Sequence, residues 1–183
     1  MRERIAARLP ARFNATRSLE ALPPAARYVL RGGGTVRSAA EAAAGHGIPA
    51  QPCRATTQGE RAALWLGPDE WLLLAPQNES AALAGALQKA LAELPHSLVD
   101  VSHRQAACEL RLPEAPVLLA AGCPLDLDER AFPIGMCTRT VLAKAEIVLW
   151  RSSAGVFRLE VARSFVAYVS QFLAEAARAS GLD

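Results

Sequence analysis

Apolar residues in this chain are gathered into runs no longer than a β-strand, and Trp71 to Ala75 is among the longest of them. A membrane-crossing helix needs about 20 consecutive apolar residues, so none is expected. Short runs of this kind build sheets. A sheet must bury its apolar face, and helices with apolar residues every three or four positions are one way to cover it. Both signals are present. Gly67-Pro68-Asp69-Glu70 separates the runs Ala62 to Leu66 and Trp71 to Ala75. Proline pre-sets the first central position of a type I turn and aspartate tolerates the second, so a hairpin is expected. Leu83, Leu87, Leu91 and Leu94 share one face of a helix that Asn78 caps and Pro95 ends. Ala106, Cys108, Leu110 and Leu112 alternate with Gln105, Ala107, Glu109 and Arg111, the period of a half-buried strand.

The remaining elements follow from the same rules. Arg27 to Arg31 reads as a strand stopped by Gly32, Gly33 and Gly34. Thr35 to Ala44 reads as a helix, with Ser38 and Glu41 at capping-box spacing. Strands are expected at Cys53 to Thr57, Leu98 to Ser102, Thr138 to Leu142, Ala145 to Arg151 and Val156 to Val161. A short helix covers Glu114 to Ala121. The closing helix is capped by Ser164, with Phe165, Tyr168, Val169, Phe172 and Ala176 as its buried stripe. The order β-α-β-β-β-α-β-β-α-β-β-β-α is that of an α+β protein with antiparallel or mixed sheets and helices packed on them. The first βαββαβ stretch fits one ferredoxin-like module, and a second, irregular one is expected after it. Residues 1–25 read as an N-terminal arm that orders against another chain, and residues 26–183 as the folded domain.

About half of the 183 residues are apolar and 21% are charged, so a sizeable core is available and long disordered stretches are not expected. The net charge is +2, and Lys89 and Lys144 are the only lysines. A nucleic-acid binder would carry a dense basic stripe, and none is present. The four cysteines, Cys53, Cys108, Cys123 and Cys137, form no CxxC pair. They read as free thiols of a cytoplasmic protein, with a secreted disulfide framework as the weaker reading. The first 25 residues lack the apolar core of a signal peptide. Their spread arginines suit a transit peptide, and Glu3 and Glu20 count against one.

Several residue groups invite chemistry and fall short of it. Gly32-Gly33-Gly34 lies where a phosphate loop would lie, but Arg37 occupies the third fingerprint position and no P-loop lysine is present. His96, His103 and Cys108 lack a fourth zinc ligand at a recognisable spacing. Cys108 sits on the apolar side of its strand, where thiols are inert, so it makes a poor nucleophile for His103. Asp100 and Ser102 point to one side of a strand and His103 to the other, so local turn bonds explain the first two better than a triad. Trp65, Trp71 and Trp150 read as core aromatics. Residues Cys123 to Met136 have no regular period and read as an ordered loop. Its Phe132, Ile134 and Met136 are candidate anchors for a partner, because aromatics and methionine are enriched at interfaces. Ordinary packing of the loop onto its own core is the competing reading.

Taken together, Leu66 to Leu74 (LGPDEWLLL), Asp100 to Gln105 (DVSHRQ), Ala121 to Leu127 (AGCPLDL), Cys137 to Trp150 (CTRTVLAKAEIVLW) and Phe157 to Phe165 (FRLEVARSF) resemble the gamma subunit of heterotetrameric sarcosine oxidase. The resemblance begins near residue 26 and rests on the order and spacing of the segments. That family is similar in turn to the folate-binding domain of aminomethyltransferases, the T-proteins of glycine cleavage. Those enzymes carry an Asp-x-Ser-His segment, matched by Asp100, Ser102 and His103. They also carry a Gly-Gly-x-x-Asp-Asp strand that supplies a catalytic aspartate. Here the corresponding stretch is Ala143-Lys144-Ala145-Glu146, without the glycine pair or the aspartate pair. The resemblance implies a folate-binding-domain-like fold of two ferredoxin-like halves. It implies a chain without catalytic, cofactor or metal residues, held with alpha, beta and delta subunits. FAD, FMN, NAD and tetrahydrofolate would sit in the other subunits of a complex that demethylates sarcosine to glycine and forms hydrogen peroxide and 5,10-methylenetetrahydrofolate. A free-standing tetrahydrofolate-binding one-carbon-transfer domain, resting on Glu146, is the alternative.

Overall fold

The computed structural model describes residues 19–182. The described residues form β1 (Leu19–Ala21), β2 (Ala25–Arg31), α1 (Gly34–Ala44), β3 (Ala55–Gln58), β4 (Arg61–Gly67), β5 (Glu70–Pro76), α2 (Ser80–Leu91), β6 (Ser97–Asp100), β7 (Gln105–Arg111), α3 (Ala115–Ala120), β8 (Cys137–Leu142), β9 (Ala145–Ser153), β10 (Val156–Ala162) and α4 (Val166–Ala179). They divide into two compact units.

The first unit comprises Pro24–His103 and Gly135–Thr138. Its sheet has the order β3-β4-β5-β2-β6, with antiparallel neighbours throughout. Without the edge strand β3, the order β4-β5-β2-β6 with α1 and α2 as crossovers is the ferredoxin-like arrangement. The expected hairpin is β4–β5, with Gly67 paired to Glu70 across Pro68 and Asp69. Leu83, Leu87 and Leu91 of α2 are buried against Leu30, Val36, Ala40 and Leu73. Leu94 adds a partly buried contact just past the helix end. Three capping expectations fail, that of Ser164 among them, since it lies in a 3₁₀ turn and Phe165 takes the N-cap position of α4. Gly33 is the N-cap of α1, without a side-chain bond. Ser38 therefore lies inside the helix, and Glu41 instead pairs with Arg37 one turn back at 2.9 Å. Asn78 lies within a 3₁₀ turn, Gln77–Glu79, that leads into α2, and Glu79 takes the N-cap position.

The second unit holds residues 19–23, Arg104–Ile134 and residues from 139 onward. Its sheet has the order β1-β7-β10-β9-β8. The scheme repeats: β7, α3, β9, β10 and α4 take the places of β2, α1, β4, β5 and α2. β1 occupies the position that β6 holds in the first unit. β1 pairs antiparallel with β7, Leu19 facing Leu110, and Leu19 is 7% exposed. Of the expected arm, residues 1–18 lie outside the described residues, and Leu19–Ala21 pack as a strand on their own chain. On β7, Cys108 and Leu110 are buried as expected. Ala107 and Glu109 on the opposite face are buried too, with the Glu109 carboxylate in an ion pair with Arg111. The stripe of α4 differs from the expected one. Val166, Val169, Ser170, Leu173, Ala176 and Ala177 are buried, whereas Phe165 is 40% exposed. Apolar residues at 165, 166, 168, 169, 172 and 173 offer two overlapping stripes one position apart. The sheet takes the one with the compact aliphatic residues.

Candidate partner interface

The loop between α3 and β8 is held by its own polar groups. The Asp126 carboxylate accepts the N–H of Asp128 at 3.0 Å, and the Asp128 carboxylate accepts the N–H of Arg130 at 2.9 Å. The Asp128 carbonyl then accepts the N–H of Phe132 at 2.7 Å. These Asx-type turns wind the segment so that Phe132 enters the core, 1% exposed, its ring 6.2 Å from that of Phe157. Arg151 completes the anchor. It is buried on β9, donates to the Phe132 carbonyl at 3.0 Å, approaches Glu129 at 3.4 Å and lies over the Phe157 ring. Nothing in the sequence marks Arg151 for this role.

The three candidate anchors are therefore not equivalent. Phe132 is spent on the interior of its own unit and presents no surface to a partner, because a ring this size gains more from full burial than the loop can withhold. Ile134 is 48% exposed. Met136, half-buried, pairs with Arg54 in an isolated antiparallel bridge of the first unit. Ile134 is the one that presents a large exposed apolar side chain.

The chemistry-bearing residues are placed as follows. Asp100 ends β6, and its carboxylate accepts the N–H of Ser102 at 2.8 Å. The Ser102 hydroxyl accepts the N–H of Arg27 at 2.9 Å. Hydrogen bonding by Ser102, with a lesser contribution from His103, holds the Asp100 carboxyl below its ordinary value against the opposing effect of burial. Both residues thus stitch the end of β6 to β2, and Ser102 is committed to backbone. Cys108 is buried, and burial pushes its thiol up to about 12. Gly32 lies against α1, where a Cβ would meet Val36 at 2.7 Å, so close approach accounts for the glycine there. Trp71 is buried, with its indole N–H donating to the Pro49 carbonyl at 2.7 Å. Trp150 is also buried, and the Arg158 guanidinium lies 5.9 Å from its ring centre. Trp65 packs partly against the first unit's core. Among the described residues, no three His, Cys, Asp or Glu side chains gather as a metal site would. No helix among them is long and apolar enough to cross a membrane.

Glu146 lies on the second unit, in an open depression of about 380 Å³ that Arg104, Gln105, Arg139 and Glu160 also line. Extending the β9–β10 register puts Glu146 across from Ala162, with Glu160 opposite Val148 on the same face. The Gln105 side-chain oxygen there is buried without a hydrogen-bond partner. The expected loss of a glycine pair has a structural trace. Ala143, first of the two residues joining β8 to β9, has φ 52°, a left-handed conformation that glycine adopts without strain.

Comparison with known proteins agrees with this architecture. The model of the Sarcosine oxidase, gamma subunit family matches residues 33–179. The chain is 40% identical over 121 residues to a sarcosine oxidase subunit gamma of Arthrobacter sp, covering 66% of this chain and 59% of the relative. It is 37% identical over 147 residues to that of Corynebacterium sp. strain P-1, covering 79% of this chain and 70% of the relative. A chain of the solved heterotetrameric sarcosine oxidase from Corynebacterium sp. U-96, in complex with pyrrole 2-carboxylate, superposes with a TM-score of 0.82 at 32% identity, covering 88% of this chain and 83% of that one. The glycine cleavage system aminomethyltransferase T from Bartonella henselae shares the fold at 14% identity and a TM-score of 0.66, over 90% of this chain and 48% of that one. With a family model spanning both units, the chain belongs to the sarcosine oxidase gamma subunit family.

Proposed function

We propose that this protein is the gamma subunit of a heterotetrameric sarcosine oxidase and acts there as a non-catalytic structural chain. The observation that carries the reading is the superposition, over nearly the whole described chain, on a chain of such a heterotetramer. The polar groups described above point the same way. Asp100, Ser102 and Arg151 are engaged in holding backbone, and the Cys108 thiol is buried. The complex would oxidatively demethylate sarcosine to glycine in the cytoplasm, reduce oxygen to hydrogen peroxide and deliver the one-carbon unit to tetrahydrofolate. FAD, FMN, NAD and tetrahydrofolate would be held by the larger chains, and the partners would be the alpha, beta and delta subunits.

Purification of the native protein from its source tests the reading. Two larger flavin-bearing chains and a further small one should co-elute with it. Sarcosine-dependent peroxide release should track the assembly and be absent from the isolated chain. Turnover of sarcosine by this polypeptide alone would overturn the proposal.

A further inference from the structure

Two segments of the first unit run antiparallel, one through Cys53, Arg54 and Ala55 and the other through Gly135, Met136 and Cys137. Arg54 pairs with Met136. The N–H of Ala55 donates to the Gly135 carbonyl at 2.8 Å, and the N–H of Cys137 donates to the Cys53 carbonyl at 3.0 Å. This register puts Cys53 directly across from Cys137. The single bond from the Cys137 N–H to the Cys53 carbonyl keeps the two backbones side by side, and antiparallel neighbours have Cα atoms about 4.5–5.5 Å apart, within the roughly 4.4–6.8 Å that a disulfide needs. The other two cysteines, Cys108 and Cys123, belong to the second unit.

The two thiols are unequal. Cys53 is half-exposed, whereas Cys137 is fully buried with its sulfur 3.5 Å from the Trp65 carbonyl. Cys53 also has φ 56°, in the turn position after Pro52 where glycine or asparagine is free of strain. A half-exposed cysteine in a left-handed turn position gains little from packing.

We propose that Cys53 and Cys137 form a peroxide-responsive pair that closes to a disulfide. The Cys53 thiolate attacks hydrogen peroxide: the O–O bond breaks, an S–O bond forms, sulfur is oxidised to sulfenic acid, and hydroxide leaves and is protonated to water. The Cys137 sulfur turns from Trp65, loses its proton to solvent and attacks the Cys53 sulfur. The S–S bond forms, the S–O bond breaks, and a second water leaves. Two thiols and one peroxide give one disulfide and two waters. The second step is slow at neutral pH, because burial, acting against the hydrogen bond to Trp65, pushes the Cys137 thiol up to about 12. Its thiolate share rises about tenfold per pH unit below that value.

The test exposes the folded full-length chain to a small excess of hydrogen peroxide, blocks remaining thiols, digests without reductant and maps the peptides by mass spectrometry. The dominant linked pair should join Cys53 to Cys137, and its yield at fixed time should climb steeply from pH 7 to 9. In denaturant the four cysteines should instead pair without preference. Cys53→Ser should abolish the link and leave Cys137 unoxidised. Cys137→Ser should leave Cys53 as a sulfenic acid that a cyclic 1,3-dione captures. The proposal fails if the native unaltered chain gives no linked pair, whether Cys53 stays reduced, ends as sulfinic acid or joins a second molecule. That readout needs no variant, so a folding defect in either serine form does not obscure it.

Discussion

Phe132 illustrates how far residue type alone misleads about role. Aromatics are common both at interfaces and in cores, and the sequence around Phe132 has no period to choose between them. The choice is made by groups far along the chain: the Phe157 ring on β10, and Arg151 on β9, which caps the Phe132 carbonyl. Arg151 is spaced too far from the loop for any local pattern to connect them. The Asp100 and Ser102 turn was legible, by contrast, because its bonds are local and its residue types favour them. Replacing Phe132 with alanine should remove a filled core position beneath the loop. The expected cost is about 3–5 kcal/mol, the usual range for a buried Phe→Ala change, measured as a fall in the denaturant midpoint of the isolated chain. A cost under about 1 kcal/mol would mean that the ring is not a core residue.

At the scale of elements, the strands and helices with strong periods lie where their sequence puts them. β7 and β10 form where their alternation put them, although each buries both faces along its middle, and α2 buries its leucines at spacings of four. Two features escaped. β1 is three residues long, too short for a period, and exists because β7 offers an unpaired edge. The stripe of α4 is displaced because two apolar faces competed and the sheet decided. The second ferredoxin-like half was expected, and its likeness to the first is carried by strand order and not by shared residues. The contact of α3 with α4 depends on Gly122. A Cβ there would lie 2.6 Å from the Phe172 ring and 2.9 Å from the Ala143 nitrogen. The ring can move, but the nitrogen is fixed by its hydrogen bond to the Gly122 carbonyl at 2.8 Å. Gly122→Ala should therefore destabilise the chain by about 1–3 kcal/mol through overpacking. Gly85 is exposed within α2, and a methyl added there would meet open space. The same change at Gly85 should act in the opposite direction, gaining about 0.5–1 kcal/mol from helix propensity. Opposite signs in paired denaturant titrations would separate close approach from backbone freedom. Equal signs would refute the contact account.

For the whole molecule, the proposed role as a chain held by larger subunits asks for apolar surface that its own fold does not cover. Among the described residues, most apolar side chains are taken up by the two sheets and their helices, and the large exposed ones are Val99, Val117, Ile134, Val141 and Phe165. Ile134 differs from the rest in its setting. It follows Phe132 on a loop pinned by two aspartate turns and Arg151, so its position is fixed before any partner arrives. Pre-ordering of this kind lowers the entropy lost on association. Ile134→Asp should leave the isolated chain within about 0.5 kcal/mol of the original, as expected for a surface change. The same variant, co-expressed with the larger chains, should be recovered in the assembly at less than about a tenth of the original yield, since a buried unpaired carboxylate costs more than the roughly 1.4 kcal/mol that a tenfold loss requires. Undiminished recovery would take Ile134 out of the interface and turn attention to the exposed valines of β6 and β8.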